Sequence, residues 1–155
     1  MKPGLALAEQ TPTIGPWHEQ LRAFEGQWRV QGENLAGAPV GAGESVVGEE
    51  TFQWMTGGFF LIHLWNRHSV STDHEGIATL GYDALADQYV WSAFDNLGYS
   101  RRYAVEVGEG VMLLTGTHER GQIAVDGDRM TIAWERSTDG QTWQPLCALS
   151  AVRID

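Results

Sequence analysis

Glu50 and His63 are the residues of this sequence best suited to moving a proton together. They sit in the stretch Glu44 to His68, which reads as two strands joined at Gly57-Gly58. A two-residue loop there sets Thr56 against Phe59. The pairing then runs Trp54 against Leu61, Phe52 against His63 and Glu50 against Trp65. These side chains share one face of the hairpin, and polar Ser45, Glu49, Thr51 and Gln53 on the other side of the first strand turn that face inward. A carboxylate beside an imidazole under indole walls is a proton-transfer pair, because desolvation raises the glutamate pKa while a neighbouring carboxylate favours charged histidine. The alternative is a satisfied buried cluster in which Glu50 accepts the N–H of His63 or Trp65.

Neighbouring strands supply further wall residues. Across the loop at Asp83 to Asp87, Leu80 and Tyr82 share a face with Tyr89 and Trp91. One of Arg101 and Arg102 must face inward beside Tyr103, where it can meet a ligand carboxylate or Glu50. Met130, Ile132 and Trp134 alternate with Thr131, Ala133 and Glu135, as on a strand with one buried face. The expected ligand-contacting set is therefore Trp54, Trp65, Tyr82, Trp91, Arg101, Tyr103 and Trp134, with Glu50 and His63 as the catalytic pair. Simple core filling is the competing account of the tryptophans.

No metal site is expected, since His68 and His74 bracket a loop without a clear third ligand. Nucleotide-binding glycine loops, nucleophile elbows and Cys–His constellations are missing, so no cofactor is expected either.

The elements that must position these residues are strands. Runs at about Gln27–Glu33, Glu44–Trp54, Phe59–His68, Gly76–Tyr82, Gln88–Phe94, Tyr99–Val107, Val111–Thr117, Gln122–Val125, Arg129–Arg136 and Trp143–Ile154 are separated by Gly, Asn and Asp turns. Roughly ten short strands in succession favour an up-and-down antiparallel meander, and closing it removes the exposed edges. Before them, Pro16 opens a short helix whose Trp17, Leu21 and Phe24 recur on one face, ending near Gly26. The expected fold is all-β: a closed antiparallel up-and-down β-barrel of about ten strands with a short N-terminal helix. It forms one domain over residues 16–155, after a loosely ordered lead-in over 1–15.

With 10 Lys and Arg against 20 Asp and Glu, the chain carries a formal charge of -10, which excludes nucleic acid and anionic membrane surfaces as partners. The single cysteine, Cys147, rules out an intrachain disulfide, and no apolar run approaches the ~20 residues of a membrane span. A cytoplasmic setting is the expectation. If Glu50 and His63 face inward, Phe60, Ile62 and Leu64 form an apolar row outside, where a homodimer contact or a covering loop is expected.

The segment Phe24-Glu25-Gly26-Gln27-Trp28 resembles the Gly-x-Trp opening of lipocalins and their relatives in the calycin superfamily. The later punctuation is similar to that of a family of small bacterial lipocalin-like proteins of unknown function. It comprises Gly57-Gly58-Phe59-Phe60, Gly81-Tyr82-Asp83, Trp91 followed by Asp95 and Gly98, and Leu113-Leu114-Thr115-Gly116. The resemblance covers about Phe24 to Arg136 and implies a closed barrel with an internal cavity, but no particular reaction. It also makes Arg153 the counterpart of the closing arginine that packs over the opening tryptophan. Nitrobindins, haem-binding relatives with the same opening, take their haem ligand from a histidine near the C-terminus; here the last histidine is His118. The function expected on these grounds is binding of a small, mostly apolar, aromatic or polyene-like molecule in the lumen. A cofactor-independent cyclase or isomerase using the same lumen is the alternative, and a structural protein with a filled lumen is the third possibility.

Overall fold

The computed structural model describes residues 11–155. Part of the expected lead-in, 1–10, lies outside the described residues, and 11–15 form no regular element. Ten strands follow in order: β1 Gly26–Asn34, β2 Ser45–Trp54, β3 Phe60–His68, β4 Asp73–Asp83, β5 Gln88–Asp95, β6 Ser100–Gly108, β7 Val111–Thr115, β8 Glu119–Asp126, β9 Arg129–Arg136 and β10 Gln144–Arg153. Each pairs antiparallel with its sequence neighbours, and β1 pairs with β10, so the sheet is a closed up-and-down barrel. Closure leaves no strand edge unpaired.

Inward positions carry the core. Trp28, Val30, Phe52, Leu61, Leu80, Met112, Leu114, Ile123, Met130 and Ile132 are buried, and their outward neighbours are polar or exposed along most strands. This period of two is what a sheet with one dry face requires.

One end of the barrel is plugged. The helix α1, Pro16–Glu19, is a single turn that passes into a 3-10 turn at Arg22–Phe24. Leu21 and Phe24 are driven into the barrel end and lose all solvent contact. Trp17 does not join them. The tighter 3-10 winding breaks the helical phase that would align it with Leu21 and Phe24, and it stays half-exposed, stacked on Tyr82 at 5.0 Å between ring centroids.

Arg153 clips the plug in place. Its guanidinium lies 4.3 Å over the Trp28 ring and donates to the carbonyls of Glu25 and Ala23, while the Trp28 ring N–H donates to the Phe24 carbonyl at 3.0 Å. Among the described residues no helix is long and apolar enough to cross a membrane.

Candidate functional site

The opposite end is open. Loops between β1 and β2, β3 and β4, β5 and β6, β7 and β8, and β9 and β10 ring a cavity of about 640 Å³ that runs down the lumen to Trp91, Ile123 and Leu149. The volume lies in the range of pockets that enclose small organic ligands.

Two strands set the polar floor. The β2–β3 pairing is Trp54 with Leu61, Phe52 with His63 and Glu50 with Trp65, as the hairpin reading requires. The loop itself differs from the expected one. Met55 and Phe60 are already hydrogen-bonded, so Thr56 to Phe59 form a wider turn of the same parity, and no face is exchanged.

Glu50 and His63 are 1% and 3% exposed, and His63 Nε2 lies 2.8 Å from Glu50 Oε1. The second carboxylate oxygen accepts from Arg67, with Nε at 2.8 Å and Nη2 at 2.7 Å. Burial pushes the Glu50 carboxyl up, but the Arg67 charge and the His63 hydrogen bond outweigh it and hold the pKa at about 2. Burial pushes His63 down, further than the Glu50 carboxylate lifts it. The resting pair is therefore an ionised glutamate and a neutral imidazole.

A carboxylate can only accept, so His63 Nε2 carries the proton and Nδ1 carries a lone pair. That Nδ1 is buried without a hydrogen-bond partner, as is the ring N–H of the adjacent Trp65, whose ring centroid lies 5.1 Å away. An unmatched acceptor and an unmatched donor thus belong to two neighbouring residues that line the cavity, both atoms themselves buried. Each such group costs on the order of 1–3 kcal/mol while unsatisfied. Phe52 stacks on the imidazole at 4.1 Å and Trp91 meets it edge-on at 5.4 Å, so the ring is held from both sides.

The walls stay apart because two indoles fold back onto glycines. Trp65 pairs across strands with Gly76 and Trp134 with Gly121. A Cβ built on Gly76 would overlap the Trp65 ring, and one on Gly121 would fall 2.6 Å from Trp134. Only glycine lets each indole lie flat against the sheet and leave the lumen open.

Of the expected wall residues, Trp65, Trp91, Arg101, Tyr103 and Trp134 line the cavity. Trp54 and Tyr82 do not. Both face inward, but they stand at the plugged end, where the Trp54 ring N–H donates to Glu25 at 3.2 Å and Tyr82 stacks on Trp17 and bonds Asp87. Glu50 sits behind His63 with both oxygens occupied and does not form part of the cavity wall. Arg101 is the inward arginine and Arg102 the exposed one, but Arg101 meets Glu119 at 3.1 Å, whereas Arg67 takes Glu50. The Tyr103 hydroxyl donates to the second Glu119 oxygen at 2.7 Å; burial, then that carboxylate, push the phenol well above its ordinary pKa.

Sequence reading missed Arg67, Glu119, the His74–Asp95 pair at 3.1 Å, and Arg136. Arg67 had a usable signal, since it lies two residues beyond Trp65 on the same strand face. Among the described residues no group of His, Cys, Asp and Glu is arranged to hold a metal ion.

Fold and site together define a closed ten-stranded barrel with one plugged end and one open, polar-floored cavity. The chain belongs to the family described as "Protein of unknown function (DUF1579)", whose profile matches residues 13–132. It is similar in fold to the crystal structure of Rv2717c from M. tuberculosis, at a TM-score of 0.69 and 16% identity, over 92% of this chain and 100% of that one. A de novo designed fluorescence-activating β-barrel superposes at a TM-score of 0.47 with 13% identity, over 86% of this chain and 95% of that one. No curated protein matches the sequence.

Proposed function

We propose that the chain binds a small, mostly apolar, aromatic or polyene-like molecule in its barrel lumen. The observation that carries this reading is the open cavity of about 640 Å³ whose walls hold Trp65, Trp91 and Trp134, with the lining residues His63 and Trp65 each keeping a buried ring nitrogen unmatched. Indoles offer flat apolar area, and a ligand hydroxyl, which both donates and accepts, would pair with whichever orphan group a small ring movement exposes to the lumen. Saturable quenching of tryptophan fluorescence by the neutral probe 1-aminoanthracene tests the reading. Ala93 lines the cavity, so Ala93→Phe should fill space and weaken the probe by at least about tenfold without lowering the melting temperature. Absence of saturable binding, with no small molecule co-purifying, would overturn it.

A second reading is a cofactor-independent isomerase or cyclase, favoured by one arrangement: a buried Arg67–Glu50–His63 chain that ends on a bare imidazole nitrogen. His63 Nδ1 would take a proton from one position of the substrate and the resulting imidazolium would return it at another, the Trp65 N–H would support the oxygen on which charge develops, and Glu50 would act through His63 as a positioning residue. Indole walls would hold an extended substrate in a reactive shape.

The assembly we propose is a homodimer through the outer face of β3 and β4. Phe60 and Ile62 are half-buried there, while Leu64 is 45% and its cross-strand partner Ile77 44% exposed. Sedimentation at micromolar concentration should give a dimer that Leu64→Glu converts to monomer; a wild-type monomer would remove the proposal.

A further inference from the structure

We infer that the bound molecule is a carboxylate and that Arg136, at the cavity mouth, is the residue that receives its charge; this rests on the lumen being a binding site. The chain as a whole has 20 acidic and 10 basic residues, yet the cavity wall is not acidic, with Arg67, Arg101 and Arg136 against Asp95 and Glu119. Two of the three arginines are already neutralised, Arg67 by Glu50 at 2.7 Å and Arg101 by Glu119 at 3.1 Å.

Arg136 is left over for a reason visible in the strand register. Its cross-strand neighbours are Glu119 on β8 and Gln144 on β10. Glu119 is the carboxylate that pairing would offer it, but one Glu119 oxygen is held by Arg101 and the other by the Tyr103 hydroxyl. Gln144 is neutral. The next acid along the chain, Asp139, accepts from the amides of Gln141 and Thr142 and from the Ser137 hydroxyl, all on one oxygen of its own loop. Among the described residues no carboxylate lies within ion-pair distance of Arg136. A half-buried guanidinium at the rim of an apolar lumen, with its fork unoccupied, fits a planar bidentate anion.

A single uncompensated arginine matches one carboxylate better than a phosphate dianion. With the head at the mouth, the apolar body extends down between Trp65, Trp91 and Trp134 toward the His63 floor. The ligand class is thus an aromatic or polyene monocarboxylate, with room for a hydroxyl at its far end.

The test compares 1-pyrenebutyrate with its methyl ester, two probes of nearly equal apolar body that differ in charge. Wild-type protein should bind the acid roughly tenfold more tightly than the ester, the scale of one partly solvated charge-assisted contact. Arg136→Gln should abolish that preference and leave the ester's affinity unchanged, and Arg136→Lys should restore part of it. A salt titration of the wild type gives the same answer without a variant, since added salt should weaken the acid and not the ester. Equal binding of acid and ester to the wild type, or equal weakening of both by Arg136→Gln, would overturn the inference while the lumen reading stands. If neither these probes nor 1-aminoanthracene binds, the lumen reading falls, and the inference falls with it.

Discussion

Replacing Arg67 with methionine is expected to lower the unfolding free energy at pH 7.5 by about 3 kcal/mol or more, the scale for stripping one partner from a buried charge pair. Glu50 is fully buried in this pair and keeps its ionised form only because Arg67 and His63 outweigh burial. The pH dependence identifies the cause. In the folded chain Glu50 titrates at about 2 against an ordinary 4.5. Its lowered pKa therefore contributes stability, on the order of 3 kcal/mol, that is complete above pH 4.5 and is lost as pH falls toward 2.

His63 and His74, both pushed down mainly by burial, add an earlier acid loss. The unfolded chain takes up their protons as pH drops through 6.5, while the folded chain resists. Wild-type stability should consequently start to decline just below 6.5 and steepen below 4.5. The gap between wild type and Arg67→Met should be widest near neutrality and close in acid. Urea denaturation of both proteins across pH 3.5 to 8 measures this. A cost under about 1 kcal/mol, or a gap that ignores pH, would show that Arg67 contributes packing rather than charge compensation.

The parts of this protein that were legible in its sequence are those governed by parity. Alternation separates inward from outward residues on each strand, and the Gly57-Gly58 turn has the right parity even though its width is wider than two residues. Height along the barrel axis is a different quantity. Trp54 and Tyr82 face inward as expected, but they stand at the end where Leu21 and Phe24 enter, and no local pattern says which end a helix will plug. Competition for partners is likewise invisible to strand pattern. Arg101 was the visible candidate for Glu50, yet Glu119 captures it and leaves Glu50 to Arg67, whose place at the strand end beside exposed Asn66 and His68 looks wet in sequence. The glycines beneath Trp65 and Trp134 become meaningful only once the register across longer loops is fixed.

Glu50→Gln is expected to reverse the polarity of the imidazole, and with it to remove the unpartnered base at His63 Nδ1. In the wild type the Glu50 carboxylate accepts on both sides, from His63 Nε2 and from Arg67. A glutamine must turn its carbonyl oxygen to Arg67, which can only donate, and so presents its NH2 to His63. His63 Nε2 then becomes the acceptor and the proton moves to Nδ1. That buried, unpartnered nitrogen is then a donor, as the Trp65 N–H already is, where a base had been. If a substrate is turned over in this lumen, the rate should fall by about 10²-fold or more, the scale of losing a general base. His63→Ala should behave alike. Binding of 1-aminoanthracene, whose contact is mostly that of its apolar rings, should change far less than the rate. Nitrogen-15 NMR of the His63 ring reads the tautomer directly, with the proton expected on Nε2 in the wild type and on Nδ1 in Glu50→Gln. A wild-type ring already protonated at Nδ1, or a variant ring that keeps its proton at Nε2, would sink the assignment of Glu50 as the residue that sets the imidazole's polarity. The proposed lumen site would then rest on shape and charge alone.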